Sequence, residues 1–217
     1  MWRISVRFAV ITFIPAGIVL GLALLAGTSQ DIPIADLFRD TASAAKLHTL
    51  TGLISNLGIL LWCVAGTVSM VAWAMFRWAG DKAWARFFLA SALLSFLLMS
   101  DDLLQIHERL AFAYCGIREK HVLLLLAVAA GTYLLVYRKR ILATNYGMLV
   151  LALILMSTAV LVDRLFPHED ANSWFLLYED GPKFLGIAAW CAYYCRTAVV
   201  SIQELVTARA PSASNPR

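Results

Sequence analysis

The residues best equipped for chemistry close an apolar run. Phe87 to Met99 contains no charge, and Ser100-Asp101-Asp102-Leu103-Leu104-Gln105-Ile106-His107-Glu108 follows it directly. On a continuous helix, Asp101, Gln105 and Glu108 share one face, with Asp102 on its flank and His107 off to the side. Ser91 and Ser95 extend Asp102's side backward as a polar stripe. Carboxylates also recur at Asp163, beside Arg164, and at Glu179-Asp180, one turn before Lys183. Carboxylates gathered without equal counter-charge must take up protons or hold a cation, because like charges a few ångströms apart cannot all stay ionised.

Oxygen ligands with one imidazole suit Mg²⁺, Ca²⁺, Mn²⁺, Zn²⁺ or iron. The expected ligands of such a divalent ion are Asp101, Asp102, His107, Glu108, Asp163, Glu179 and Asp180, with His121, His168, Glu169 and Asp170 as rim candidates. Asp101, Asp102, Glu179 and Lys183 are the expected catalytic groups. Glu179 to Lys183 is the favourable i to i+4 order for an ion pair. A purely structural network joining Lys183, Arg164 and the acids accounts for the same residue types.

These groups must be carried by membrane helices. The 217 residues are 61% hydrophobic and 15% charged, against about 25% charged in soluble domains. The mean hydropathy is +0.74. That composition predicts an all-α integral membrane protein, a bundle of six transmembrane helices at about 8–26, 50–76, 86–108, 121–137, 146–165 and 174–200. Residues 1–206 then form one transmembrane domain and 207–217 a disordered tail. A short interfacial helix is expected within 34–47. Gly116 is the expected breaker after the third span, Asn172 or Ser173 the cap of the sixth, and Gly181-Pro182 a kink within it. If Arg86 marks one membrane edge, Asp101 lies about 22 Å along the helix, short of the roughly 30 Å of hydrocarbon. Charge at that depth is costly and faces protein or a water-filled cavity.

Of the eighteen Lys and Arg, eleven fall at the amino terminus, in the 77–86 and 138–140 loops and towards the carboxyl end. The bias places both termini in the cytoplasm, in a bacterial inner membrane with the site facing the periplasm. Twelve of the fourteen acids fall on the opposite side. The scattered basic residues give no reason to expect nucleic acid as a partner. No Gly-rich phosphate loop, GxSxG, HExxH or CxxC is present. Cys191 and Cys195 lie one turn apart in an apolar run and read as small hydrophobes.

The leading expectation is a membrane-embedded, metal-dependent hydrolase acting on a lipid or other amphiphile at an outer-leaflet carboxylate and histidine site. A membrane oxidoreductase with a carboxylate-bridged iron pair is a further enzymatic possibility, without the ExxH repeats of soluble examples. The alternative is a proton- or cation-coupled transporter or channel component using the same acids. A third is a non-catalytic membrane subunit.

Overall fold

A computed structural model describes residues 6–38, 42, 45–165 and 173–209. Every regular element among them is helical, and the chain divides into two compact units, Met1–Leu53 and Ile54–Arg217.

The first unit holds α1 (Val6–Ser29) and the short α2 (Ile34–Leu37). The Ile32 N–H donates back to Gly27 O at 2.9 Å. The Leu37 side chain occupies the place where a Cβ on Gly27 would sit, which lets α2 fold against α1. Of the expected interfacial helix, the described residues show one turn at Ile34–Leu37; residues 39–41, 43 and 44 lie outside the described set. His48 is exposed, as a loop residue should be, and its Nδ1 accepts from Leu50 N at 3.2 Å.

In the second unit, α3 (Leu53–Ala79) and α4 (Lys82–Leu104) form a tight hairpin. Gly80, at φ +83°, turns the chain in a conformation that an L side chain rarely adopts. Asp81 then caps α4, its Oδ1 accepting from Ala83 N at 3.0 Å and Trp84 N at 3.1 Å. A π-helical turn, Ile106–Leu110, leads into α5 (Ala111–Cys115), which ends at Gly116 with φ +64°. The remaining helices are α6 (Glu119–Leu142), α7 (Gly147–Leu165) and α8 (Ser173–Arg209). Helix α8 starts at Ser173, one of the two expected caps, and continues through Gly181 and Pro182 to Arg209. Asn172 and the tail residues 210–217 lie outside the described set.

Among the described residues, four helical stretches are long and apolar enough to cross a membrane: α3, α4, α6 and Asp180–Arg209 of α8. Helices α1 and α7 contribute shorter apolar stretches, Ala16–Ser29 and Gly147–Val162. In lipid, helices gain little from excluding water and associate through close packing and hydrogen bonds. Small residues supply the closeness. On α3, Gly58, Ala65, Gly66, Ser69 and Ala72 repeat along the buried face, and a Cβ on Gly66 would overlap the Phe96 ring of α4. On α8, a Cβ at Gly186 would sit 3.1 Å from both Ala152 O and Met156 N of α7.

Indoles and hydroxyls then tie the helices together inside the apolar core. Trp190 Nε1 donates to Ser95 Oγ at 3.0 Å. Tyr194 OH donates to Tyr133 OH at 2.8 Å, and Tyr133 OH lies 2.8 Å from Ser91 Oγ. The polar stripe expected on α4 is thus consumed by donors and acceptors from α6 and α8. Trp190 also meets Trp62 edge to face at 5.5 Å and Tyr194 at 5.1 Å. Aromatic pairs of this kind contribute about 0.5–1.5 kcal/mol each beyond the area they bury.

The contact at Gly186 has a direct test. Gly186→Ala should destabilise the protein by about 1–3 kcal/mol, because backbone atoms of α7 must move to admit the methyl. Gly131→Ala, where nothing lies within 4 Å of the added methyl, should be neutral or slightly stabilising. Reversible unfolding of both variants in detergent micelles measures the difference.

Candidate functional site

Adjacent residues on a helix point about 100° apart, so Asp101 and Asp102 have different neighbours. Asp102 faces α3 and α8. Its Oδ2 accepts from Trp62 Nε1 at 2.9 Å, and its Oδ1 lies 2.8 Å from Lys183 Nζ. Asp102 is 12% exposed and Lys183 38% exposed. Ser55, Gly58, Asp180, Phe184 and Ile187 complete a cleft of about 60 Å³ beside this ion pair, room for a few waters.

Asp101 faces the turn that follows its own helix. A continuous helix through Glu108 is expected from the sequence; instead α4 ends at Leu104, and Gln105 takes a left-handed conformation with φ +49°. The five residues after it close as a π turn, with Arg109 N and Leu110 N both donating to Gln105 O, at 2.9 and 3.1 Å. The reversal swings His107 back over Asp101. Asp101 Oδ1 accepts the His107 backbone N–H at 3.1 Å, while Oδ2 lies 2.6 Å from His107 Nδ1. Gln105 and Glu108 therefore do not extend a single helical face from Asp101. The physical reason is the backbone inversion at Gln105, for which the side-chain clasp on His107 compensates. A left-handed non-glycine residue costs about 1–2 kcal/mol, and such strain, like π turns, concentrates at functional sites.

The clasp fixes the imidazole. With Nδ1 engaged by Asp101, Nε2 is left facing Glu108, whose Oε1 is 3.6 Å away. The His107 pKa is raised above its ordinary 6.5, first by the hydrogen bond to Asp101. Burial opposes the rise, and Lys183 lowers the pKa while Glu108 adds to it. Asp102 is the nearest counter-charge to Lys183, with Glu108 and Asp180 further out. Asp101, Asp102, His107, Glu108, Asp180 and Lys183 thus form one electrostatic cluster, arranged as two closed pairs with acids around them.

The structure brings these six expected residues together. The side chains of Asp163 and Glu179, and all of His168, Glu169 and Asp170, lie outside the described set. So does the expected Glu179–Lys183 pair, and the Lys183 partner that is described is Asp102. Among the described residues, no group of three or more His, Cys, Asp or Glu is placed to hold a metal ion. Cys191 and Cys195 have their sulfurs 3.9 Å apart, with Cys191 buried. Trp62 is the site residue that sequence reasoning missed, since an indole within an apolar span gives no sign that its N–H meets a carboxylate forty positions away.

The class of protein is thereby defined: among the described residues, every regular element is helical, four stretches are of membrane length, and a carboxylate, imidazole and ammonium cluster lies where α3, α4, the π turn and α8 meet. The chain belongs to the family described as a domain of unknown function, DUF8692, whose model matches residues 11–197. No curated protein and no solved structure matches it.

Both pairs make predictions. His107 has a folded pKa above its unfolded value of about 6.5. Its bond to Asp101 therefore contributes stability that is complete below about pH 6.5 and lost as pH rises through the elevated pKa. Thermal unfolding of the wild type between about pH 5 and 9 should show this decline, and Asp101→Asn should flatten it. At the second pair, Lys183→Ala should cost about 1–3 kcal/mol by stranding Asp102. That is less than the 3–5 kcal/mol of a fully buried pair, because Lys183 is partly exposed. Removing both charges with Asp102→Asn and Lys183→Met should recover much of the loss, as read from the same unfolding curves.

Proposed function

We propose that the protein is a membrane-embedded hydrolase acting on the polar group of a lipid or other amphiphile. His107 is the general base, Asp101 its positioning residue, and Lys183 the cation that stabilises negative charge developing on the substrate oxygen. The observation that carries this reading is the double grip of Asp101 on His107, which holds the imidazole with Nε2 turned away from Asp101 and within the electrostatic reach of the Lys183 ammonium group. A base of this kind is worth about 10²–10⁴-fold in rate, and a preorganised donor about 10²–10³-fold more. In the proposed step, Nε2 removes a proton from water and the hydroxide oxygen adds to the electrophilic carbon or phosphorus. The leaving oxygen departs with the proton returned by His107, so one ester bond and one water are consumed.

A divalent ion belongs to this proposal as an auxiliary. Glu108 would be its first ligand, while His107 Nε2 keeps its lone pair for the proton, since a neutral imidazole has a single acceptor nitrogen. Asp163, Glu179 or Asp180 would complete the shell. Asp101 and Asp102 would have to release His107 or Lys183 before joining it. The same proposal includes six spans, α1 and α7 among them. It places both termini in the cytoplasm and the site at the periplasmic face of a bacterial inner membrane, on the strength of the basic-residue bias.

A second reading, a proton- or cation-coupled carrier, is favoured by one observation. Polar groups continue inward from the cluster through Trp190, Ser95, Tyr194, Tyr133 and Ser91, which a conducting route requires.

The test is turnover of a bacterial lipid extract by purified protein in H₂¹⁸O, followed by mass spectrometry. Products carrying one ¹⁸O are expected, with His107→Gln slower by at least about 10²-fold. The rate should rise with pH through the elevated His107 pKa, and Asp101→Asn should move that limb down towards pH 6.5. Unchanged turnover in His107→Gln would remove the base. Near-stoichiometric metal, reduced in Glu108→Gln, supports the auxiliary ion, and full activity after chelation eliminates it. Cation-driven flux in proteoliposomes, abolished by Asp102→Asn and accompanied by no product, would establish the carrier instead.

A further inference from the structure

The end of the second unit away from the carboxylates carries a concentrated positive charge that the proposed chemistry does not use. Arg77 closes α3, and Lys82 and Arg86 open α4 one turn apart on the same face. Arg138, Lys139 and Arg140 close α6, and Arg209 closes α8. The structure gathers these helix ends into one place. Phe76 stacks on Trp84 at 5.8 Å, the Arg140 guanidinium sits 5.0 Å over the Trp84 ring, and Arg209 donates to the Ala79 carbonyl. Arg77 lies 5.8 Å over Trp73. Arg77, Lys82 and Arg86 are all exposed.

The neighbouring acids do not offset this charge. Asp81, whose Oδ1 caps α4, and Glu204, exposed on α8, are two negative charges against seven positive ones. Trp78, at the tip of the hairpin, is 91% exposed, and an exposed indole beside basic residues at the end of an apolar helix suits the headgroup zone of a bilayer.

We infer that this collar, centred on Arg77, Lys82, Arg86 and Arg140, binds the phosphodiester headgroup of an anionic phospholipid. The chemistry fits on three counts. The guanidinium fork matches phosphate oxygens bidentately, and Arg140 already sits over the Trp84 ring. Lys82 and Arg86 present two further donors on one face. The apolar helices below offer the acyl chains a surface that a free anion would not use. Each basic group near an anionic surface contributes about 1 kcal/mol, which is about fivefold in affinity.

The test is native mass spectrometry of the full chain released from nanodiscs of mixed phosphatidylglycerol and phosphatidylcholine. Phosphatidylglycerol should be retained preferentially, and the exposed triple variant Arg77→Gln, Lys82→Gln, Arg86→Gln should lose that preference by about 10²-fold. Arg118→Gln with Lys120→Gln, at the opposite end, serves as the control and should retain it. Raising the salt in the exchange buffer should weaken the preference in the wild type. Equal retention of both lipids, or an equal loss in the control pair, would overturn the inference. Displacement of the lipid by millimolar inorganic phosphate would overturn it too, by making the free anion the ligand.

Discussion

Two neighbouring carboxylates near the end of an apolar helix constrain the rest of the second unit. Neither can stay ionised there without a partner, and a helix sends adjacent side chains in different directions. Asp102 obtains its partners from other helices, so α3 must bring Trp62 and α8 must bring Lys183 to the same depth. Asp101 has no such neighbour and obtains its partner from the chain just beyond it. That requirement explains why α4 stops at Leu104 and why Gln105, without glycine's freedom, holds a left-handed conformation. A straight continuation would carry His107 away from Asp101 and leave the carboxylate bare.

The deeper core follows from the position of α8. Setting Lys183 against Asp102 places Gly186 against α7, Trp190 against Trp62 and Ser95, and Tyr194 against Tyr133. Residues 183, 186, 190 and 194 recur at three or four positions, so one face of α8 carries the charge at its outer end and the indole and phenol below it. Each buried polar atom in this series has a partner on another helix. A rotation or slide of α8 would break the ion pair and the hydroxyl contacts together. The close approach at Gly186 helps to fix the register, because it tolerates little relative movement.

How much of this was legible in the sequence depends on the range of each interaction. The helical class, and the need of Asp101 and Asp102 for partners, follow from composition and from the cost of charge in lipid, which depend on residue type alone. Gly116 as a breaker is likewise a local property. The reversal at Gln105 was not legible, because nothing about glutamine announces positive φ; the driving force is the carboxylate four positions earlier and the imidazole two positions later. The Asp102–Lys183 pair depends on helix packing. Glu179, at i to i+4, is the partner of Lys183 that local spacing offers, and its side chain lies outside the described residues; Asp102 as a partner requires knowing that α4 and α8 are neighbours. Trp62 was invisible for the same reason. Ser91 and Ser95 were recognised as a polar stripe, but their partners on α6 and α8 come from helix packing rather than from any local pattern.

The two ion pairs are also not independent, and this bears on what the cluster can do. Lys183 opposes protonation of His107 while Glu108 favours it, so the imidazole responds to the state of the ammonium group and the acids around it. An anionic or strongly polar group entering the cleft beside Asp102 and Lys183 would draw the Lys183 charge towards itself and weaken its hold on His107. The imidazole would then bind its proton more tightly. A cation binding at Asp102 or Glu108 would act in the opposite sense and favour the neutral base. Occupancy of the cleft and the proton on His107 are therefore coupled through electrostatics alone, without any movement of the helices. Whether the site performs hydrolysis or carries an ion, this coupling is the property that the paired arrangement adds over a lone histidine and aspartate. It exists because two aspartates stand side by side and face different partners.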